Sequence, residues 1–179
     1  MFESALAYLG LQFAKFQFRS EVDHVQSFSE FMQKARNVLI MLPTGYEEAG
    51  LAGDALRAFR DRFKHLQLTV IHNSTRATSL SEFQRCEVIR LDPGDLNKFY
   101  LPTRALTQRI FQKEYDVAMD LNLDFVLHTA YICRASHAKV RVGFSHPASE
   151  IFFNVQIGID RQATPQAIYK KFATCLAMF

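Results

Sequence analysis

The sequence predicts an α/β fold: a doubly wound, mostly parallel sheet of five to six strands with helices on both faces, plus an N-terminal amphipathic helix. Three observations carry this expectation. Unbroken apolar runs of strand length, such as residues 38–42, suit strands buried on both faces. Segments of helical periodicity separate those runs, and strand–helix alternation implies parallel pairing. Finally, residues 38–63 pass from an apolar strand through a small-residue turn into an amphipathic helix, which is how an open α/β sheet begins.

Taken in order, residues 2–18 read as a helix. Phe2, Leu6, Leu9, Phe13 and Phe16 recur at alternating spacings of four and three, which places them on one face. Lys15 and Arg19 suit the negative end of its dipole. Three readings compete for the stripe: docking on the protein's own sheet, pairing with a second copy in a homo-oligomer, or contact with a membrane surface. The last is disfavoured because the polar face is not basic. A turn at 20–23 leads to a short helix at 27–35, where Ser27 and Glu30 have capping-box spacing.

The first strand is expected at 38–42, and its helix runs from about 47 to 64 with Leu51, Ala55, Ala58, Phe59 and Phe63 as its apolar stripe. A second strand spans 66–71, helical turns fall at 78–85, and a third strand spans 87–91 before the turn signal Asp92-Pro93-Gly94-Asp95. A helix follows at 103–113, a strand at 116–121, a helix at 124–136 and a strand at 139–144. Residues 151–159 favour a sixth strand. Thr164-Pro165, an N-cap with proline at the first helical position, opens the last helix. The chain divides into a helical arm, 1–36, and one domain, 37–179.

Composition excludes several classes. The 21 basic and 18 acidic residues give a net charge of +3, spread along the chain, so no basic stripe for nucleic acid is expected. The 17 Phe with no Trp suit a Phe-rich core. Cys86, Cys133 and Cys175 are odd in number and far apart, which predicts neither a disulfide framework nor a zinc site and points to a reducing, cytoplasmic setting. No run reaches about 18 uninterrupted apolar residues, and the N-terminus lacks the basic start and cleavage site of a secretory signal.

Three phrases in order carry a family resemblance. Residues 38–63 resemble, without a gap, the opening strand–turn–helix of the bacterial lipopolysaccharide heptosyltransferases, with Leu56-Arg57-Ala58-Phe59 near the helix end. Tyr115-Asp116-Val117-Ala118-Met119-Asp120-Leu121 is similar to a later strand of that family. Ala138-Lys139-Val140-Arg141-Val142-Gly143-Phe144 is similar to a third phrase. The similarity covers roughly residues 37 to 145. It implies the N-terminal, acceptor-side Rossmann-like lobe of a two-lobed (GT-B) glycosyltransferase, with the C-terminal, donor-binding lobe missing from this chain. The family's Gly-Asp pair, whose Asp is thought to be the base that activates the acceptor hydroxyl, aligns with Glu47 and Glu48. The resemblance therefore names Glu48 as the catalytic candidate, one methylene longer. It also implies a saccharide or sugar-nucleotide ligand.

Ligands in such sheets bind beyond the carboxyl ends of the strands. The binding residues expected there are Thr44, Glu47, His72, Asn73, Asn122, Ser145 and His146, with Asp92 and Asp124 as further polar groups at strand ends. A Glu near a His could do general acid–base work if burial moved both toward neutrality; the rival reading is that turns need polar residues in any case. Gly45, Gly50 and Gly53 match neither a dinucleotide fingerprint nor a phosphate loop, and Glu47 and Glu48 would repel a phosphate there. Gly143-Phe144-Ser145-His146-Pro147 lacks the second glycine of a nucleophile elbow. No metal spacing is found among the six His, and no cofactor is expected. The preferred reading is a non-catalytic binding or scaffold module. The alternative is a glycosyltransferase component whose donor lobe comes from a partner chain.

Overall fold

The computed structural model describes residues 2–20, 23, 28–73, 86–160 and 162–177. They form α1 (Phe2–Phe18), α2 (Phe28–Lys34), β1 (Asn37–Met41), α3 (Tyr46–Arg62), β2 (Gln67–Asn73), β3 (Glu87–Leu91), α4 (Arg104–Ile110), β4 (Val117–Asp120), α5 (Leu127–Ala135), β5 (Val140–Phe144), β6 (Val155–Ile157) and α6 (Pro165–Ala177). The strands make one sheet in the order β3-β2-β1-β4-β5-β6, and every pairing is parallel. This is the doubly wound, Rossmann-like arrangement expected from the alternation. The expected helical turns at 78–85 and the Ser27 cap lie outside the described residues.

The sheet divides the core in two by strict alternation. Val38 and Ile40 of β1 join a cluster with Met32, Phe59, Tyr169 and Phe172, from α2, α3 and α6. Leu39 and Met41 join the other, with Ala14, Phe18, Leu106, Ile110 and Leu127, from α1, α4 and α5. All four β1 side chains are fully buried, as an interior strand covered on both faces requires. A shallow cavity of about 270 Å³ lies between α3 and α6, lined among others by Asp54, Tyr169 and Lys170.

Two segments differ from the sequence reading for local reasons. The sixth strand keeps only Val155–Ile157. Its expected first half is a turn in which Ser149 O accepts the N–H groups of Phe152 and Phe153. Both rings are buried, and Gly143 makes room for Phe153: a Cβ there would lie 2.4 Å from the ring. Helix α4 ends at Ile110, whose carbonyl takes the Tyr115 hydroxyl at 3.0 Å, closing the helix before residue 113.

The N-terminal helix docks on the protein's own core, but not through the large apolar stripe. Its buried face is Gly10, Ala14 and Phe18, while Leu9, Phe13 and Phe16 are 54%, 58% and 62% exposed. Small residues win because the approach is close: a Cβ on Gly10 would stand 2.2 Å from the Phe99 carbonyl oxygen. Phe18 then packs on Tyr131 with centroids 5.2 Å apart. Among the described residues no helix is long and apolar enough to cross a membrane.

Candidate functional site at the switch point

The chain winds from β1 outward to β3 and then returns to β4, so β1 and β4 are neighbours from which the connections diverge. Their carboxyl ends define the switch-point crevice where such sheets hold ligands. Register places Met41 beside Asp120. Asp120 is 4% exposed. One oxygen accepts the Asn122 backbone N–H at 3.0 Å and its side-chain amide at 2.7 Å. The Asn122 side-chain Oδ1 in turn accepts the Thr44 N–H at 3.1 Å. Thr44 and Asn122, both anticipated, thus staple the turn after β1 to the turn after β4. Burial drives the Asp120 carboxyl up to about 6, opposed by its contacts with Thr129 and Asn122.

Above this network stand the acidic residues of the α3 first turn, Glu47 and Glu48, where the helix dipole favours them. Glu47 is exposed; Glu48 is half-buried. Its Oε2 lies 3.7 Å from where a Cβ on Gly45 would be, so the side chain folds back over the N-cap. Desolvation raises its carboxyl above the usual range, and the nearby negative charge of Asp124 adds to this. Tyr169 reaches the same region from α6 and donates to Leu121 O at 2.7 Å. Burial, then Glu48 and Asp120, holds its hydroxyl in the neutral form.

The chain neighbours of these acids are aromatic. Tyr46, preceding Glu47, is 53% exposed. Phe125, following Asp124, stacks on His146 with centroids 5.3 Å apart and planes at 15°. His146 Nδ1 accepts the Ala148 N–H at 3.1 Å, so its free ring edge is Nε2. Ser145 continues the sheet edge, its N–H donating to Ile157 O at 3.0 Å, and its side chain is exposed.

His72 and Asn73 end β2, on the far side of β1 from β4. His72 Nδ1 lies 3.0 Å from the Asn73 carbonyl oxygen. No described contact couples either to Glu48, whose charged neighbour is the Asp124 carboxylate. Among the described residues no group of His, Cys, Asp and Glu is arranged to hold a metal.

Sequence reasoning missed Asp120, Tyr169, Tyr46 and Phe125 as members of the site. Asp120 stands at the end of an apolar strand, and an acid in that place is a legible signal. The others read as ordinary apolar periodicity.

The parallel sheet with its switch-point crevice defines the class by fold, a Rossmann-type lobe, and solved glycosyltransferases share that fold. The chain superposes on E. coli heptosyltransferase WaaC with ADP at TM-score 0.60 and 16% identity, covering 78% of this chain and 46% of that one. On a glycosyl transferase family 9 protein from Veillonella parvula the values are 0.63, 15%, 80% and 42%. On E. coli ADP-heptose lps heptosyltransferase II they are 0.54, 17%, 74% and 40%. The chain therefore spans less than half the length of these enzymes. No family model and no curated protein matches its sequence.

Proposed function

We propose that this chain is a saccharide-binding relative of the heptosyltransferase acceptor-side lobe, acting as a binding module rather than as an enzyme on its own. The observation that carries the reading is a Glu48 carboxyl that feels the charge of Asp124, each acid having an aromatic chain neighbour: Tyr46, which is 53% exposed, and Phe125, which stacks on His146. The exposed Tyr46 and His146 rings offer faces to a sugar ring, and carboxylates accept hydrogen bonds from its hydroxyl groups. Two neighbouring carboxylates repel phosphate, so the preferred ligands are neutral or amino sugars.

The test is a thermal-stability screen of neutral, amino and phosphorylated saccharides. A matching sugar at about a hundred times its Kd adds about 2.7 kcal/mol, which raises Tm by about 5–10 °C for a chain of this size. Tyr46→Ala then weakens binding about tenfold. Either no response to any saccharide, or full affinity in Tyr46→Ala, rejects the proposal.

One observation favours a second reading, a glycosyltransferase component completed by a partner chain. Burial and Asp124 both raise Glu48 toward the range where a carboxylate serves as a general base. On that reading, Glu48→Gln abolishes sugar transfer with the donor lobe present yet keeps saccharide binding. Transfer that survives the substitution removes Glu48 from the chemistry.

A further inference from the structure

Helix α1 is apolar on two sides, and its docking accounts for one. Gly10, Ala14 and Phe18 face the core, whereas Tyr8, Leu9, Phe13 and Phe16 face outward at 61%, 54%, 58% and 62% exposure. A contiguous exposed apolar patch of this kind, rimmed by polar residues, marks an interaction surface. We propose that this outer face is a self-association surface, and that its occupant is α1 of a second copy of this chain.

Area supports that occupant. At about 200 Å² for each large side chain, the four leave about 500 Å² open, at the upper end of the patches monomers tolerate. Two such faces across a two-fold axis remove about 1,000 Å², and the exposed Ala5 and Gln12 beside them extend this to the low end of specific interfaces, about 1,200 Å².

Charge supports it as well. Antiparallel pairing about a two-fold between Gln12 and Phe13 sets Leu9 of each copy against Phe16 of the other, and Arg19 opposite Leu6, so like charges do not meet. Arg19 already covers the rim of the patch, its guanidinium 4.2 Å from the Phe16 ring centroid. A membrane-surface helix instead flanks its apolar face with several basic residues. Here Glu3, Gln12 and Gln17 share the exposed surface with Arg19.

Light scattering and sedimentation of the full chain between about 1 and 200 μM test this, the range in which a low-end interface associates. The expected result is a mass rising with concentration toward twice the 20.6 kDa monomer, with Phe13→Glu and the milder Phe13→Ser both monomeric and unchanged in circular dichroism. A wild-type protein that stays monomeric throughout overturns the proposal, as does a dimer that survives Phe13→Glu. It is overturned too if the protein is monomeric but sediments with phosphatidylcholine–phosphatidylglycerol vesicles in a Phe13-dependent way.

Discussion

The two ends of the sheet treat charge in opposite ways. At the amino end, acids meet partners. Asp23 binds Arg134 and Arg141, which are 3% and 5% exposed; Asp116 accepts the N–H groups of Arg36 and Asn37 at 2.7 and 3.0 Å; Glu87 meets Lys113 at 2.6 Å. At the carboxyl end Asp95 still meets Arg109 at 2.7 Å, but at the switch point Asp120 is buried with no cation against it among the described residues, and Glu48 faces another acid. The titrations follow. Burial alone would raise Asp23, but Arg141 and Arg134 outweigh it and the carboxyl ends up lowered. The Lys113 hydrogen bond lowers Glu87. Asp120 and Glu48 are raised. Matched charge stabilises a fold; mismatched charge is held at a cost, which is the usual condition of a site that binds or reacts.

The sharpest way to break this contrast is to remove one acid from each end and compare pH profiles. Asp23→Ala leaves two buried guanidinium groups without the carboxylate they share. A fully buried pair broken this way costs about 3–5 kcal/mol; because Asp23 is 39% exposed, about 2–3 kcal/mol is expected at pH 7 by urea unfolding. A lowered carboxylate contributes stability above its unfolded pKa and loses it as pH falls through the folded value. The loss caused by Asp23→Ala therefore shrinks in acid.

Asp120→Asn has the opposite sign. A carboxyl raised from 3.8 to about 6 is at no disadvantage below about pH 3, where both states are protonated, and it destabilises the fold increasingly as pH rises toward 6. The variant should gain about 1–2 kcal/mol at pH 8, below the ceiling of about 3 kcal/mol for a two-unit shift, with the gain vanishing at about pH 3. Comparing each variant with wild type at the same pH cancels other titrations, such as that of His128, which burial lowers to about 4. If Asp120→Asn destabilises at pH 8, Asp120 belongs with the matched acids and the contrast fails.

How much of this could be read in the sequence depended on where the information lies. The sheet was legible because apolar runs such as 38–42, and short Val- and Ile-bearing segments such as 87–91 set off by turn signals, carry it locally. The turn residues Thr44 and Asn122 were legible as strand ends, but not their mutual hydrogen bond, which depends on register across the switch point. The face on which α1 docks was not legible, and the role of its large apolar stripe stayed open among three readings, because periodicity weighs large apolar residues whereas helix approach selects for small ones. Gly10 against the Phe99 carbonyl is a contact between distant segments with no trace in local pattern. The Arg134–Asp23–Arg141 cluster is likewise a tertiary fact: nothing around residue 23 announces two buried arginines more than a hundred positions away.

The smallest effect expected is the one that sharpens the comparison most. Lys113 and Glu87 also form a matched pair at the amino end, but Glu87 is 55% exposed and Lys113 32% exposed. Water and side-chain entropy offset most of such a pair, so Lys113→Gln should cost about 0.5 kcal/mol at low salt and less in about 1 M salt. Asp23→Ala should keep most of its effect in the same salt, because buried partners are poorly screened. An equal salt response in the two variants would mean that burial of Arg134 and Arg141 adds nothing. The amino end would then be an ordinary charged rim, and only the carboxyl end would need a special explanation.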